Sequence, residues 1–337
     1  MRIGSNPEKE NNQLKSDAYH RVVIPVYIPN LTEEYFRDGL DILKMCLESL
    51  LATIHSKTRI SLINNGCCDE VNDYLNKIYN NYDVVDQILH SKINLGKVNA
   101  LYSAIKSNLE PLITIADSDV MFLPLWQQKV EQIHSDFPEA GLVSPVPSST
   151  AFKSPFNKST LFYGFFKGRI KVASVLDPDG MIKFQESIGR IMYKPIHLEK
   201  YLTITNGKSE AVIGSGHFIA TLKADVFKNA PLEICEAKIV GGSENKYIDI
   251  PNDKGGFLRL STMGNYAYHL GNQTEDWMKN RLVQIKNISI DKPTLSKLPA
   301  GEPISKFGYY IGGILHKTLL TKLKKTYLKY KGINQPY

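Results

Sequence analysis

LITIADSD, residues 112–119, sets a run of apolar and β-branched residues directly against two carboxylates one residue apart. The run suits one buried strand, and Asp117-Ser118-Asp119 marks the point where such a strand leaves a core. Two carboxylates aimed into one small volume repel each other, which raises a pKa or loosens the turn. A hard divalent cation relieves that repulsion and commonly bridges to substrate phosphates. A solvated turn with two helix-capping acids is the plain alternative, so the surroundings must decide.

The residues before this stretch alternate in kind. VVIPVY (22–27) reads as a strand, and Leu40, Leu43, Leu47, Leu50, Leu51 and Ile54 follow at helical spacing. RISLI (59–63) predicts a second strand and residues 69–79 a helix; 84–89 predicts a third strand and 98–107 a helix. Beyond Pro124 a further helix and a short strand at 141–143 are expected. Strands alternating with helices predict an α/β fold with a doubly wound, mostly parallel sheet. Ligands of such sheets bind beyond the carboxyl ends of the strands. The polar breaks Pro29-Asn30, Asn64-Asn65-Gly66, Asn94-Leu95-Gly96-Lys97 and Asp117-Ser118-Asp119 all fall at those ends, which places the site there.

Regularity is lost over 146–210, rich in Phe and Lys, which reads as an irregular insertion with a helix at 184–192. It returns with IGSGHFIATLKADVF, a strand at 217–222, then a Gly-rich acidic loop, VGGSENKYIDIPNDKGG, and a strand ending in AYHLGN. The expected division is a flexible tail at 1–20, a first α/β half at 21–145, the insertion, a second half at 211–290, and a basic extension at 291–337.

Composition excludes several classes. The polar N-terminus has no apolar core, and no stretch reaches the roughly 18 apolar residues of a membrane span. Cys46, Cys67, Cys68 and Cys235 have no CxxC spacing, which predicts reduced thiols and a cytoplasmic location. The net charge of +7 belongs to one segment: residues 304–337 hold seven lysines and no acid, leaving 34 charges of each sign elsewhere. A balanced body argues against nucleic-acid binding. The chain lacks GxGxxG and GxxxxGK[ST] after the first strand, HExxH, and a GxSxG around Ser215.

VVIPVY, INNGCCD, NLGKVNAL, ITIADSDVMF, GSGHFIATLKADVF, GSENKYID and AYHLGN occur in an order that resembles family 2 glycosyltransferases, inverting enzymes of the GT-A fold. The resemblance covers about 21–275 and is tightest over 21–120. It implies a metal-dependent transfer from a nucleotide-diphosphate sugar, a UDP-sugar foremost, to a glycan or lipid-linked hydroxyl, with Mn²⁺ or Mg²⁺. It places Pro25 and Tyr27 along the nucleoside, Asn64 at the base, Lys97 at the ribose or diphosphate, and Asp117, Ser118 and Asp119 at donor and metal. Asn64-Asn65 stands where the family has Asp-Asp or Asp-Asn. His269 matches a further metal ligand, with a structural hydrogen bond as the plain reading. Glu244-Asn245 replaces the usual Glu-Asp, making Glu244 the candidate base and Asp249 the second, against a helix cap. Gly214, Gly216 and His217 would line the acceptor side. A sugar-phosphate nucleotidyltransferase and a non-catalytic relative that binds a glycan or protein are the alternatives.

Finally, Ile311, Leu315, Leu319, Leu323 and Tyr327 repeat every four residues among the lysines of 304–331. Such an amphipathic helix either packs on the body or lies on an anionic membrane surface, here the inner leaflet.

Overall fold

The alternation of VVI at the start of the sheet explains how both of its faces are covered. Val22, Ile24 and Val26 of β1 (His20–Val26) point to one side, into a core shared with Leu43, Leu47, Leu75 and Val130. Val23 points to the other, where it meets Ala100, Leu101, Ala104 and Ile105. All of these side chains are buried. The period of two along a strand thus recruits different helices to each face. The computed structural model describes every residue except 1, 2, 10–12, 240, 241, 289–291, 294, 296, 297 and 336.

Beyond β1 the strands are β2 (Thr58–Asn65), β3 (Gln87–Ser91), β4 (Leu112–Ala116), β5 (Val120–Phe122), β6 (Ala140–Ser144) and β7 (Arg169–Ser174). They continue with β8 (Lys200–Thr205), β9 (Glu210–Ile213), β10 (Ile219–Lys223), β11 (Leu258–Ser261) and β12 (Ala267–His269). Ten form one mixed sheet in the order β3-β2-β1-β4-β10-β6-β11-β9-β8-β7. β3, β2, β1 and β4 are parallel, β10 runs against both β4 and β6, and β6 is parallel to β11. The first half therefore sends the ends of β1 to β4 to one edge, as the polar breaks predict. β5 and β12 form a separate antiparallel pair, with Val120 opposite His269. The expected strand at 84–89 lies a little later, because Val84 and Val85 form the turn that enters β3.

Several expectations are corrected. Residues 146–210 are not irregular: they hold helices Lys158–Phe166, Pro178–Ser187 and Pro195–Glu199, and β7 and β8 join β9 to extend the sheet. The expected helix at 184–192 begins earlier and ends at Ser187. Helix Lys158–Phe166 shows no polar face in sequence because it is covered twice, by the sheet through Leu161 and by the C-terminal helix at Phe162.

The basic extension is part of the body. Its helix runs through Lys306–Leu315, a wide turn over His316–Lys322, and Lys324–Tyr330. Leu320, Tyr327, Leu328, Ile333 and Tyr337 belong to the main core cluster. Gly308 and Gly312 let the helix close on Lys158–Phe166; a Cβ at Gly312 would overlap the Lys158 carbonyl. Of the stripe read from spacing, Tyr327 is buried and Leu319 packs against the core, whereas Leu323 is exposed. At the other terminus, anchoring begins before residue 20: Ser16 Oγ donates to Glu110 Oε1 (2.8 Å) and Asp17 pairs with Arg59 (2.6 Å).

Candidate active site

Two cavities meet at the carboxyl edge of the sheet. The larger, about 1010 Å³, is lined by Pro25, Tyr27, Asn65, Lys97, Ser118 and Asp119, among others. The smaller, about 620 Å³, is lined by Lys153, Tyr193, Gly216, His217 and Arg259, among others. Lys97, Asp117, Glu244 and His269 border both.

Asp117 is fixed by the strand next to it, its backbone N–H donating to the Phe218 carbonyl at the mouth of β10 (2.8 Å). Its side chain is taken by Lys97, whose Nζ lies 2.5 Å from Asp117 Oδ1 and 2.7 Å from Glu244 Oε1. Gly96, at φ +80°, permits this approach: a Cβ there would stand 2.9 Å from the Ala237 carbonyl. Burial disfavours the Lys97 charge, but Asp117 and Glu244 outweigh it and hold its pKa above the ordinary lysine value. Glu244 sits on the helical turn that precedes a π-type turn over Asn245–Asp249, so the expected loop is helical here. Its carboxylate makes no capping bond, and it faces Lys97 instead.

Asp119 immediately precedes β5, next to Val120, the partner of His269 on β12, and its carbonyl accepts from Leu270 N–H (2.8 Å). Asp119 Oδ1 is shut from solvent and has no hydrogen-bond partner. Loss of hydration raises the Asp119 pKa, with His269 opposing. Ser187 Oγ donates to the Phe184 carbonyl (2.8 Å), so at 2.9 Å from His269 Nδ1 it accepts the ring N–H. The Nε2 lone pair then faces Asp119 Oδ2 at 3.4 Å. A lone pair against a carboxylate needs a proton or a cation between them. The separation is near the roughly 3 Å between neighbouring ligands of one small divalent ion. An orphaned carboxylate oxygen and a correctly held imidazole thus fit a metal, with Asp117 turned towards Lys97.

Another ligand-capable group lies near the opposite, amino-terminal ends of the strands. Among the described residues, His20, His55 and Glu131 are the three such side chains whose ligand atoms lie within 4.8 Å of one another, all buried. Glu131 accepts from His20 Nδ1 (2.7 Å), His55 Nε2 (2.9 Å) and Tyr19 OH (2.9 Å). Three donors already satisfy the carboxylate, so the cluster works as a buried hydrogen-bonded staple joining β1, the loop before β2 and helix Trp126–Asp136.

Several sequence expectations change at this site. Asn64 does not line the donor cavity: its amide bonds Asn72 and His90, and its oxygen accepts from Cys67 N–H. Asn65 lines it instead, beside Asn94. Asp249, expected as a second base, is fully buried, held 3.1 Å from Arg259 Nε and 2.6 Å from His217 Nε2. It reaches the smaller cavity only through His217 and Arg259. Gly214 turns the chain at φ +92° against Ala151, and only Gly216 and His217 line the cavity. Tyr35 and Phe36 escaped notice; Phe36 stands edge-on to Tyr27 (6.0 Å between ring centres) on the donor side. Their only signal was an aromatic pair just after the first strand.

The sequence model of glycosyl transferase family 2 matches residues 22–184. The chain thus carries a glycosyl transferase family 2 domain over those residues. It is a glycosyltransferase of the GT-A fold, its large central sheet mixed but mostly parallel. No curated protein matches the chain. Among solved structures it is similar to residues 1–349 of TarS from S. aureus, at 12% identity and TM-score 0.40, covering 80% of this chain and 70% of that one. The same TarS piece in complex with UDP-GlcNAc matches at 12% identity and TM-score 0.39, over 77% and 60% of the two chains. The mannosyltransferase PcManGT from Pyrobaculum calidifontis, in complex with GDP-Man and Mn²⁺, matches at 11% identity and TM-score 0.43, over 97% and 89%. Among the described residues of the transferase, no helix is long and apolar enough to cross a membrane.

Proposed function

We propose that the transferase moves a sugar, with inversion, from a nucleotide-diphosphate donor to a hydroxyl of a glycan or lipid-linked acceptor, with Mn²⁺ or Mg²⁺ bound. A UDP-sugar is the favoured donor. The observation that carries this reading is the meeting of two cavities at Lys97, Asp117, Glu244 and His269, beside the unpartnered oxygen of Asp119. The larger cavity takes the nucleotide, with Pro25, Tyr27 and Asn65 along the nucleoside. Lys97 moves from Asp117 and Glu244 to the diphosphate when the donor enters. Asp119 and His269 would hold the cation, and Asp117 would hold ribose or a water beside it. When bound, the cation supplies positive charge for the departing diphosphate.

The acceptor enters from the smaller cavity. Glu244 takes the hydroxyl proton as the acceptor oxygen bonds to the anomeric carbon, and the bond from that carbon to the diphosphate oxygen breaks. Release from Lys97 leaves Glu244 free to accept the proton. One observation favours a second reading: His217, backed by the buried Asp249 at 2.6 Å, presents an imidazole to the same cavity. In that reading His217 is the base, Asp249 its positioning residue. Steady-state rates separate them. Glu244→Gln is expected to cut turnover by about 10² or more with donor affinity kept. A mild Glu244→Gln with a crippling His217→Gln would transfer the role to His217.

The C-terminal helix also supports an interfacial location. Phe307, Tyr310 and Ile314 lie exposed at spacings of three and four, among Lys306, Lys317 and neighbouring lysines. An apolar row edged by cations complements an anionic lipid surface such as the inner leaflet.

A further inference from the structure

The mouth of the smaller cavity carries positive charge that no carboxylate among the described residues pairs with. Lys153 lines that cavity, its Nζ 3.5 Å from His197 Nε2 and 5.2 Å from the centre of the Tyr337 ring. Three separate segments build the cluster. Lys153 follows β6, Lys194 precedes helix Pro195–Glu199, and Lys324 opens the last helix. Tyr337 fixes the geometry, its hydroxyl donating to the carbonyls of Ser149 (2.7 Å) and Lys200 (2.8 Å). His316 ties the C-terminal helix to the Lys153 carbonyl (3.2 Å).

The electrostatics of these groups are one-sided. Burial, then Lys324 and Lys194, push the Lys153 pKa down to about 8. Burial, then Lys153, Lys194 and Lys324, push His197 down to about 4. No acid enters either balance. Some lysines elsewhere on the surface pair with carboxylates, as Lys208 does with Asp136 and Lys286 with Glu48. Packing like charges together costs stability, and a fold that keeps them at a cavity mouth has a use for the field. Ser148, Thr150, Ser154 and Tyr193 add hydroxyls to the same wall, the donor set that suits a phosphate with ammonium groups behind it.

We propose that Lys153, Lys194 and Lys324 form an anion subsite that selects an acceptor carrying a phosphate ester next to the sugar-accepting hydroxyl. This rests on the assignment of the smaller cavity to the acceptor and narrows its chemical class. The phosphate belongs either to a soluble phosphorylated acceptor or to a lipid headgroup, since both present the same oxyanion.

Calorimetric titration of the full chain with sn-glycerol 3-phosphate and with glycerol tests it, with and without saturating UDP and Mn²⁺. Glycerol 3-phosphate is expected to bind in both states and glycerol in neither. Lys153→Gln and Lys324→Gln should each weaken binding by about tenfold, the scale of one charge-assisted contact. Lys153→Arg should restore it, and Lys238→Gln, at a lysine that lines only the larger cavity, should leave it, locating the phosphate away from the donor side. Vesicles of phosphatidic acid against phosphatidylcholine identify the source: a preference lost in the same variants assigns a lipid phosphate, and no preference assigns a soluble one. Equal binding of glycerol, or undiminished phosphate binding in the Lys153→Gln, Lys324→Gln double variant, overturns the subsite. UDP binding in that case keeps the glycosyltransfer reading intact, whereas phosphate binding without any UDP binding would remove that reading and leave the subsite.

Discussion

Lys97 Nζ stands 2.5 Å from Asp117 Oδ1, a cation held against the first acid of the Asp117-Ser118-Asp119 turn. The same ammonium contacts Glu244, so one side chain balances donor-side and acceptor-side carboxylates together. On the proposed reading, Lys97 occupies the electrostatic place that a bound cation would take.

Replacing Lys97 by Met removes that balance and leaves Asp117 and Glu244 facing each other. Losing one partner of a buried charge pair costs about 3–5 kcal/mol, so without metal the melting temperature should fall on the order of 5 °C or more. Mn²⁺ should then stabilise the variant more than the parent. Thermal melts with Mn²⁺ and with EDTA check this. An equal response to Mn²⁺ would show that Lys97 does not occupy the cation's electrostatic place.

Acid should weaken the fold in two stages. Burial lowers the His20 pKa from its ordinary 6.5, so the unfolded chain binds the proton first and stability declines as pH falls through about 6.5. Burial opposes the Glu131 charge, but bonds from His20 and His55 prevail and hold its pKa at about 2. That contribution is full above the ordinary 4.5 and is lost as pH falls from there towards 2. Urea midpoints measured from pH 8 to pH 3 should show both declines. Glu131→Gln should start less stable and lose the lower one.

Ending the chain near Ala300 should unfold it. Leu320, Tyr327, Leu328, Ile333 and Tyr337 leave the core with the truncation, and each large buried side chain contributes about 2 kcal/mol. Their sum rivals the whole stability of a domain, about 5–15 kcal/mol. The membrane reading therefore needs point variants: Phe307→Ser with Ile314→Ser should keep the melting temperature and reduce sedimentation with anionic liposomes. A soluble, cooperatively folding truncated chain would contradict the packing described.

How much of this was legible in the sequence varies with what each residue faces. VVIPVY, RISLI and LITIA declared their strands because each is buried on both faces of the sheet, and the polar turns after them marked the site. Asn64 and Asn65 could not be told apart by pattern. Successive residues of a strand point to opposite sides, and a slip of one exchanges cavity for core. Helix Lys158–Phe166 was hidden because neighbours on two sides erase the polar face that marks a surface helix. Asp249 looked like a base because its burial behind His217 depends on Arg259, ten residues later on β11.

Donor binding through Asp119 is the claim on which the account turns. Titration of UDP into the protein with Mn²⁺, repeated with EDTA and with Asp119→Ala, measures it directly. The account predicts binding with Mn²⁺, at least a tenfold loss in EDTA and a similar loss in Asp119→Ala with its melting temperature kept, the scale of one charge-assisted contact or more. Undiminished UDP binding in excess EDTA, or in Asp119→Ala with Mn²⁺, would contradict it.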